Sequence, residues 1–189
     1  GFVARGIDVH VAYLVERPGL HERYRAGGAT LHHLEGPGRL AWIRQFHVLA
    51  GGLSPDLVHT TLFEADITGR VGARLARVPS VTSLVNETYG HEHRPDPGLS
   101  RLKLRAAQGL DIATARLARR FHAVSEHVAD TMARNLLIDR QQIDVIPRGR
   151  DPRVLGIRAA ERRARARRVL GIGDAPWLVA LARHGDQTG

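Results

Sequence analysis

Short apolar runs rich in β-branched residues alternate with helical stretches along most of this chain. Strands separated by helices pair in parallel through right-handed crossovers. We therefore predict an α/β fold with a doubly wound parallel sheet and helices on both faces. The predicted strands span residues 7–15, 29–34, 56–63, 80–86, 120–125 and 143–147.

The helical stretches show the spacing of three or four residues that is typical of an amphipathic helix. Residues 38–52 predict a helix that is ended by its closing glycines. After the third strand, helix is predicted as far as Arg77, with Ile67, Val71 and Leu75 on one face. In the longest pattern, over residues 99–120, the predicted apolar face holds Leu99, Leu102, Ala106, Leu110, Ala113 and Leu117.

The residues that follow each strand are the first candidates for a functional site, because doubly wound sheets bind ligands beyond the carboxyl ends of their strands. Ser125 is also placed to cap the next helix, and Glu126 puts a carboxylate in its first turn. The candidate pairs are Glu16 and Arg17, Thr60 and Thr61, Asn86 and Glu87, Ser125 and Glu126, and Arg148 and Gly149.

The net charge of +9, from 28 Lys and Arg against 19 Asp and Glu, favours anionic partners. Nucleotide phosphates, anionic lipid headgroups and nucleic acid all qualify. Nucleic acid is not expected, since only 5% of residues are aromatic and no nucleic-acid-binding motif is recognised. Residues 158–168 hold six arginines and one glutamate, and they predict a solvated helix.

The absence of cysteine excludes disulfides and thiolate metal sites. The sequence has no apolar run of the roughly 18 residues that a membrane-spanning helix needs, and its start lacks a secretory signal pattern. A cytoplasmic location is expected.

Four motifs resemble, in order, the retaining glycosyltransferases of family 4, which have the two-domain GT-B fold. "VARGIDVHV" is similar to the family's R-G-H-E-V-x-V, and "PDLVHTTLFEADITGRVGARLARVPSVTSLVN" to its P-D-v-v-H-x-H segment with the helix and strand that follow. "FHAVSEHVADTMARNLLIDRQQIDVIPRGRD" is similar to the v-S-e helix and the I-P-N-G-v-D turn. "LVALARHGDQTG" resembles the first strand of the donor domain.

The resemblance implies an acceptor-side, Rossmann-like domain at residues 1–152, a linker at 153–176 and the truncated start of a donor-binding domain at 177–189. The family's first strand and most of its donor domain are not found in this sequence. We therefore expect a fragment that is inactive alone, taken from a protein that transfers sugar with retention of configuration. No metal or cofactor is implied, since the nucleotide-sugar is a substrate.

The family's functional residues carry over only in part. Arg183 matches the arginine that contacts the donor diphosphate, and its usual lysine companion falls at Thr188. Asn86 falls near the sugar-transfer site, where many members have a histidine, and asparagine cannot act as a general base. Asn86 and Glu87 are therefore catalytic candidates without an assigned role. The resemblance places along the cleft Thr60, Ser125, Glu126, Arg148, Gly149 and Asp151, with Arg148 replacing the usual asparagine.

Several candidates also have a purely structural interpretation. Ser125 and Asp151 can be helix caps, and Gly149 can be a turn residue. His59 ends an apolar run, which favours a packed histidine with satisfied hydrogen bonds. The segment His91, Glu92 and His93 has the spacing of a metal site but no evident third ligand.

Two other functions remain open. A sugar-nucleotide epimerase of the same fold would need acid and base groups in the cleft, which the sequence does not identify. A non-catalytic basic module would bind anionic membrane or nucleic acid. For the transferase, the acceptor is a glycan, a lipid-linked sugar or a small molecule, and peripheral contact with the inner face of an anionic membrane is compatible with the charge.

Overall fold

The computed structural model describes residues 2–16, 19–89, 101–150, 152–173 and 175–177. Helices and strands alternate along the chain, as predicted. The strands are β1 (His10–Tyr13), β2 (Thr30–His33), β3 (Val58–Thr61), β4 (Ser80–Leu84), β5 (Arg120–Ala123) and β6 (Ile143–Val145). The helices are α1 (Leu20–Ala26), α2 (Arg39–Leu53), α3 (Phe63–Leu75), α4 (Arg101–Ala115), α5 (Glu126–Leu136), α6 (Pro152–Leu155) and α7 (Ala160–Leu170), with short 3₁₀ turns at Val3–Arg5 and Arg140–Gln142.

The strands form two sheets in which every pair is parallel. β1 pairs with β2, and the larger sheet has the order β3-β4-β5-β6. The predicted parallel α/β fold is thereby confirmed. The expectation that this domain lacks the first strand of its family stays a prediction.

The apolar core lies between α5 and the larger sheet. Ser125 caps α5 as predicted, because its Oγ accepts a hydrogen bond from the backbone N–H of Val128 at 3.3 Å. The buried apolar face of α5 then packs on β4, β5 and β6. This core includes Leu84, Phe121, Ala123, Val128, Ala129, Met132, Leu136 and Ile143.

The sequence placed the end of α2 wrongly. Gly51 and Gly52 lie within the helix, and the residue that ends it is Ser54, whose φ of 47° is left-handed and whose N–H donates to Ala50 O. Helical glycine costs about 1 kcal/mol relative to alanine but does not by itself stop a helix.

The predicted face of α4 is also wrong in part. Leu102 is 79% exposed, whereas Asp111, Thr114 and Ala115 are buried. The helix turns polar residues inward because a buried arginine on α3 pairs with Asp111. On α3 itself, Ile67 is buried but Leu75 is exposed, since positions four apart drift by about 40° per step around the helix.

Two glycines bring α3 unusually close to its neighbours. A Cβ at Gly69 would lie 2.4 Å from Thr60 Cγ2 on β3, and a Cβ at Gly72 would lie 2.7 Å from Phe46 Cδ1 on α2. Both positions therefore require the absence of a side chain. This contact fixes the face of α3 that lies over β3 and β4.

The chain divides into two compact units, residues 1–147 and 148–189. The second unit contains α6 and α7. As predicted for residues 158–168, α7 is helical, and none of its residues is buried. None of the described helices combines the length and apolar character of a bilayer-spanning segment.

Candidate functional site

A cavity of about 160 Å³ lies at the carboxyl ends of β3 and β4, within the first unit. This is the edge at which α/β sheets bind ligands. Its rim includes the exposed residues Leu62 and Asn86. The lining consists of Leu62, Phe63, Asp66, Arg70, Ser83, Leu84, Val85, Asn86, Thr88, Asp111 and Met132.

Arg70 of α3 is the central charge of this cavity, and its side chain is fully buried. Its Nε donates to Thr82 Oγ1 at 2.9 Å, and its Nη1 donates to Asp111 Oδ1 at 2.6 Å. The guanidinium also lies 5.7 Å from the centroid of the Phe121 ring, within range of a cation–π contact. These contacts hold the guanidinium in one orientation.

Asp111 of α4 links this arginine to a tyrosine. Its Oδ2 accepts a hydrogen bond from Tyr89 Oη at 2.8 Å, while Oδ1 accepts from Arg70. Burial raises the pKa of Tyr89, and the charge of Asp111 and the hydrogen bond to it raise that pKa further. Tyr89 therefore remains protonated and acts as a donor.

Asp66, one helical turn before Arg70, is held less firmly. Its Oδ2 lies 3.7 Å from Arg70 Nη2, which is beyond hydrogen-bond distance. Burial raises the pKa of Asp66 to about 6; the charge of Arg70 and a hydrogen bond with the Thr60 hydroxyl oppose that rise, and the charge of Asp111 adds to it. Near neutral pH this carboxylate is ionised, and its burial in that charged form lowers the stability of the fold.

The structure places the two catalytic candidates differently. Asn86 lies on the rim of the cavity, where its amide can hydrogen-bond a hydroxyl. Glu87 is half-buried, and its carboxylate contacts His127 Nε2 in the first turn of α5. The loop after β4 and the start of α5 thus converge, as expected for two carboxyl ends of one parallel sheet.

Three further candidates of the first unit have structural partners. Thr60 is buried, and its hydroxyl shares a hydrogen bond of 2.8 Å with Thr82, so it supports the cavity from below. Ser125 caps α5. Glu126 is exposed and pairs with Arg140 on the surface.

Arg148 and Gly149 belong to the second unit, and both are exposed. Among the described residues, nothing lies within 4 Å of the position that a Cβ would take at Gly149. Asp151, Arg183, Thr188 and the segment from His91 to His93 lie outside the described residues. Within the part of the chain that is described, no group of three His, Asp or Glu side chains could hold a metal ion.

His59 takes part in a chain of hydrogen bonds across the opposite face of the sheet. His59 Nε2 and Ser83 Oγ are 2.7 Å apart, and Ser83 Oγ and His122 Nδ1 are 2.9 Å apart. His122 Nε2 must donate to Ile146 O at 2.9 Å, so Nδ1 accepts from Ser83 and Ser83 accepts from His59. Burial, and then the charge of His122, lower the pKa of His59. His59 Nε2 is hydrogen-bonded as predicted, and although the residue as a whole is exposed, this end of its ring is part-buried against Ser83.

The sequence predictions missed the charged residues of the cavity. Asp66 and Arg70 are four residues apart on α3, a spacing typical of exposed ion pairs on helices. The available signal was their position next to the apolar residue Ile67, which the periodicity had assigned to the buried face of α3. Asp111 gave no local signal, because its partner is 41 residues away.

Comparison with known proteins gives one family match. Residues 1–149 match the family described as a glycosyl transferase 4-like domain. No curated protein matches the chain at a significant level.

Several solved structures resemble the chain. HepE from Anabaena in complex with UDP has a TM-score of 0.65 and 18% identity, covering 86% of this chain and 42% of that one. The HepE complex with UDP-glucose has a TM-score of 0.65, 19% identity and the same coverage. A glycosyltransferase from Rickettsia africae has a TM-score of 0.62 and 12% identity, covering 91% of this chain and 43% of its own. The chain thus spans less than half the length of these proteins, and at such identities the likeness shows a shared fold.

Proposed function

This chain belongs to the glycosyl transferase 4-like domain family, and we propose that it provides the acceptor side of an enzyme that transfers sugar from a nucleotide-sugar donor. The observation that carries the proposal is the cavity at the carboxyl ends of β3 and β4, lined by fixed hydrogen-bonding groups. Such a cavity can hold a hydroxyl-bearing acceptor next to a donor bound beyond the same edge.

In the proposed reaction, the bond between the anomeric carbon and the donor diphosphate breaks, and a bond from that carbon to an acceptor hydroxyl oxygen forms. The hydroxyl proton leaves with the nucleoside diphosphate or passes to solvent. We propose that the product keeps the anomeric configuration of the donor. The donor diphosphate gains negative charge, which a guanidinium at Arg183 would stabilise. UDP-sugars are the first donors to test, because structural neighbours were crystallised with UDP and UDP-glucose.

Asn86 would orient the acceptor hydroxyl rather than remove its proton, since an amide has no accessible pKa. Glu87 is less suited to contact the reacting atoms, because its carboxylate is already engaged by His127.

The test uses the full-length gene product, incubated with UDP-glucose and other nucleotide-sugars in the presence of mixed methyl glycosides. Release of nucleoside diphosphate and the NMR coupling constant of the product's anomeric proton report transfer and configuration. We expect Arg183→Ala to lower kcat/KM about 100-fold or more, because a charge-stabilising contact to the leaving group is lost. Arg134→Ala, on the exposed side of α5, serves as the control.

Lack of donor cleavage with every donor and acceptor pair would contradict the proposed function. Inversion at the anomeric carbon would contradict only the retention of configuration. The 189-residue chain assayed alone is expected to give no transfer.

A further inference from the structure

Two polar atoms in the cavity have no hydrogen-bond partner among the described residues: Asp66 Oδ1 and Arg70 Nη2. Their side chains are only 9% and 0% exposed, and both residues line the cavity. Buried polar atoms are nearly always hydrogen-bonded, because desolvation without a partner is costly. Any molecule that fills the cavity, whether water or a ligand, must therefore supply a donor to the carboxylate and an acceptor to the guanidinium.

Arg70 and Asp111 already have hydrogen-bond partners within the protein, which leaves Arg70 Nη2 in a fixed position. Thr82 and Asp111 hold Nε and Nη1 of Arg70, and Tyr89 holds the second oxygen of Asp111. Rigid support of this kind is typical of a binding site, since little conformational freedom is lost when the ligand arrives.

The charge of the cluster argues against an anionic ligand. Asp66 and Asp111 carry two negative charges when ionised, and Arg70 carries one positive charge, so the sum is −1. A phosphate or carboxylate would be repelled by Asp66, which faces the cavity. A neutral molecule with hydroxyl groups can both donate to Asp66 and accept from Arg70.

The size and the apolar lining indicate one six-membered ring. A cavity of about 150 Å³ encloses benzene, so a volume of about 160 Å³ takes in no more than one ring, and the larger substituents of a sugar would lie at the exposed rim. Phe63, Leu84 and Met132 supply apolar surface, which suits the C–H face of a sugar ring whose hydroxyls reach the polar wall.

We propose that this cavity is the subsite for one sugar ring of the acceptor, in which the Asp66 carboxylate accepts a hydrogen bond from a ring hydroxyl and Arg70 Nη2 donates to a second hydroxyl. This assignment rests on the proposed function, and it makes Asp66 a binding residue for the acceptor.

The direct test measures binding without any nucleotide donor. The full-length gene product is labelled with ¹⁵N, and the Nε–Hε signal of Arg70 is followed while methyl glycosides of glucose, galactose, mannose and N-acetylglucosamine are added separately. We expect at least one glycoside to shift this signal saturably. Asp66→Asn should weaken that binding about tenfold, since the ring hydroxyl then donates to a neutral amide oxygen instead of a charged carboxylate.

Asp144→Asn is the matched control, because Asp144 also pairs with an arginine, Arg120 at 2.7 Å, but lies on the opposite face of the sheet. This variant should bind as the wild type does. The amide spectrum of each variant verifies that it is folded.

The proposal is overturned if no glycoside shifts the Arg70 signal, or if Asp66→Asn binds as tightly as the wild type. Because the assay contains no donor, these outcomes are independent of whether the full-length protein transfers sugar. Where transfer is observed, Asp66→Asn should raise the acceptor KM about tenfold and leave the donor KM unchanged; an unchanged acceptor KM would overturn the subsite while the proposed function stands.

Discussion

The two halves of the helix-covered face of the β3–β6 sheet are built from different kinds of residue. Under α5 the buried side chains are apolar, with Phe121, Met132 and Leu136 at the centre. Under α3 and α4, on the same face of the same sheet, the buried side chains include two aspartates and an arginine together with the threonines at 60, 68, 82 and 114. The sheet is continuous, so the difference comes from the side chains alone.

The difference shows where this domain gains stability and where it gives some up. Burial of apolar area is the main favourable term in folding, and α5 provides it without burying a charge. Burial of an ion pair carries a desolvation penalty that can equal or exceed its attraction, so the α3 and α4 half gains little from its charges. Charged residues buried where apolar ones would be more stable are expected at functional sites.

The strongest way to break this comparison is to remove the central charge. Arg70→Met keeps much of the side-chain length but leaves Asp66 and Asp111 buried without a counter-charge, and it should lower the free energy of unfolding by about 3 to 5 kcal/mol. Urea denaturation near neutral pH measures the change. Arg134→Met, at an exposed position of α5 where the guanidinium donates to Thr131 Oγ1, should change stability by less than about 0.5 kcal/mol. If both variants lose a similarly small amount of stability, Arg70 does not compensate the charges of Asp66 and Asp111.

The second substitution, Asp66→Asn, should stabilise the protein. The pKa of Asp66 rises from 3.8 to about 6 on folding, so the folded state holds its proton more tightly than the unfolded state. Below pH 3.8 the carboxyl group is protonated in both states and does not destabilise the fold. Between pH 3.8 and about pH 6, the free energy of unfolding falls as pH rises. Above the higher value the loss is complete, at about 3 kcal/mol.

Asp66→Asn mimics the protonated form in the presence of Arg70, Asp111 and Tyr89, the charged or titratable groups that face it. The variant should match the wild type near about pH 4 and exceed its stability by up to about 3 kcal/mol near about pH 8, as measured by urea denaturation at both pH values. Asp144→Asn controls for the loss of one carboxylate. If Asp66→Asn is less stable than the wild type at the higher pH, the ionised Asp66 stabilises the fold and is not kept for binding a ligand.

The smallest effect concerns the backbone at the rim of the cavity. Leu62 precedes α3 with φ 74° and ψ 145°, a conformation that only glycine adopts readily. Leu62→Gly should raise the free energy of unfolding by about 1 kcal/mol, because the relieved strain exceeds the entropy that glycine adds to the unfolded chain.

Leu137, at the end of α5, is the matched position in the apolar half of the sheet face, and it also has a positive φ. It ends α5 in the ordinary left-handed region, with φ 53° and ψ 43°, where strain is lower. Thermal denaturation of Leu62→Gly and Leu137→Gly should show the larger gain at Leu62. An equal or larger gain at Leu137 would show that strain is not concentrated at the cavity.

The fold was predictable because its signals are local. Alternation of short apolar runs with helices gave the parallel sheet, and Ser125 followed by Glu126 gave the start of α5, since a cap depends only on neighbouring residues. The motifs around "VHTTLF" and "VIPRGRD" were enough to indicate the family that residues 1–149 match.

The cavity was not predictable by the same rules. The periodicity of α4 assigned polar residues to solvent, and this rule fails at Asp111 because its partner on α3 is brought near only by the tertiary fold. Asn86 was identified because it directly follows a strand. Asp66 and Arg70 lie within a helix, where no strand-end rule selects them.

The close contact at Gly69 has an electrostatic consequence. A methyl group there would meet Thr60 Cγ2 at 2.4 Å and push α3 outward. Thr60 shares a hydrogen bond with Thr82, which in turn accepts from Arg70, the residue next to Gly69. A single hydrogen atom in place of a side chain thus fixes how deeply a positive charge sits in the protein, and with it the strength of the field that any molecule entering the cavity would meet.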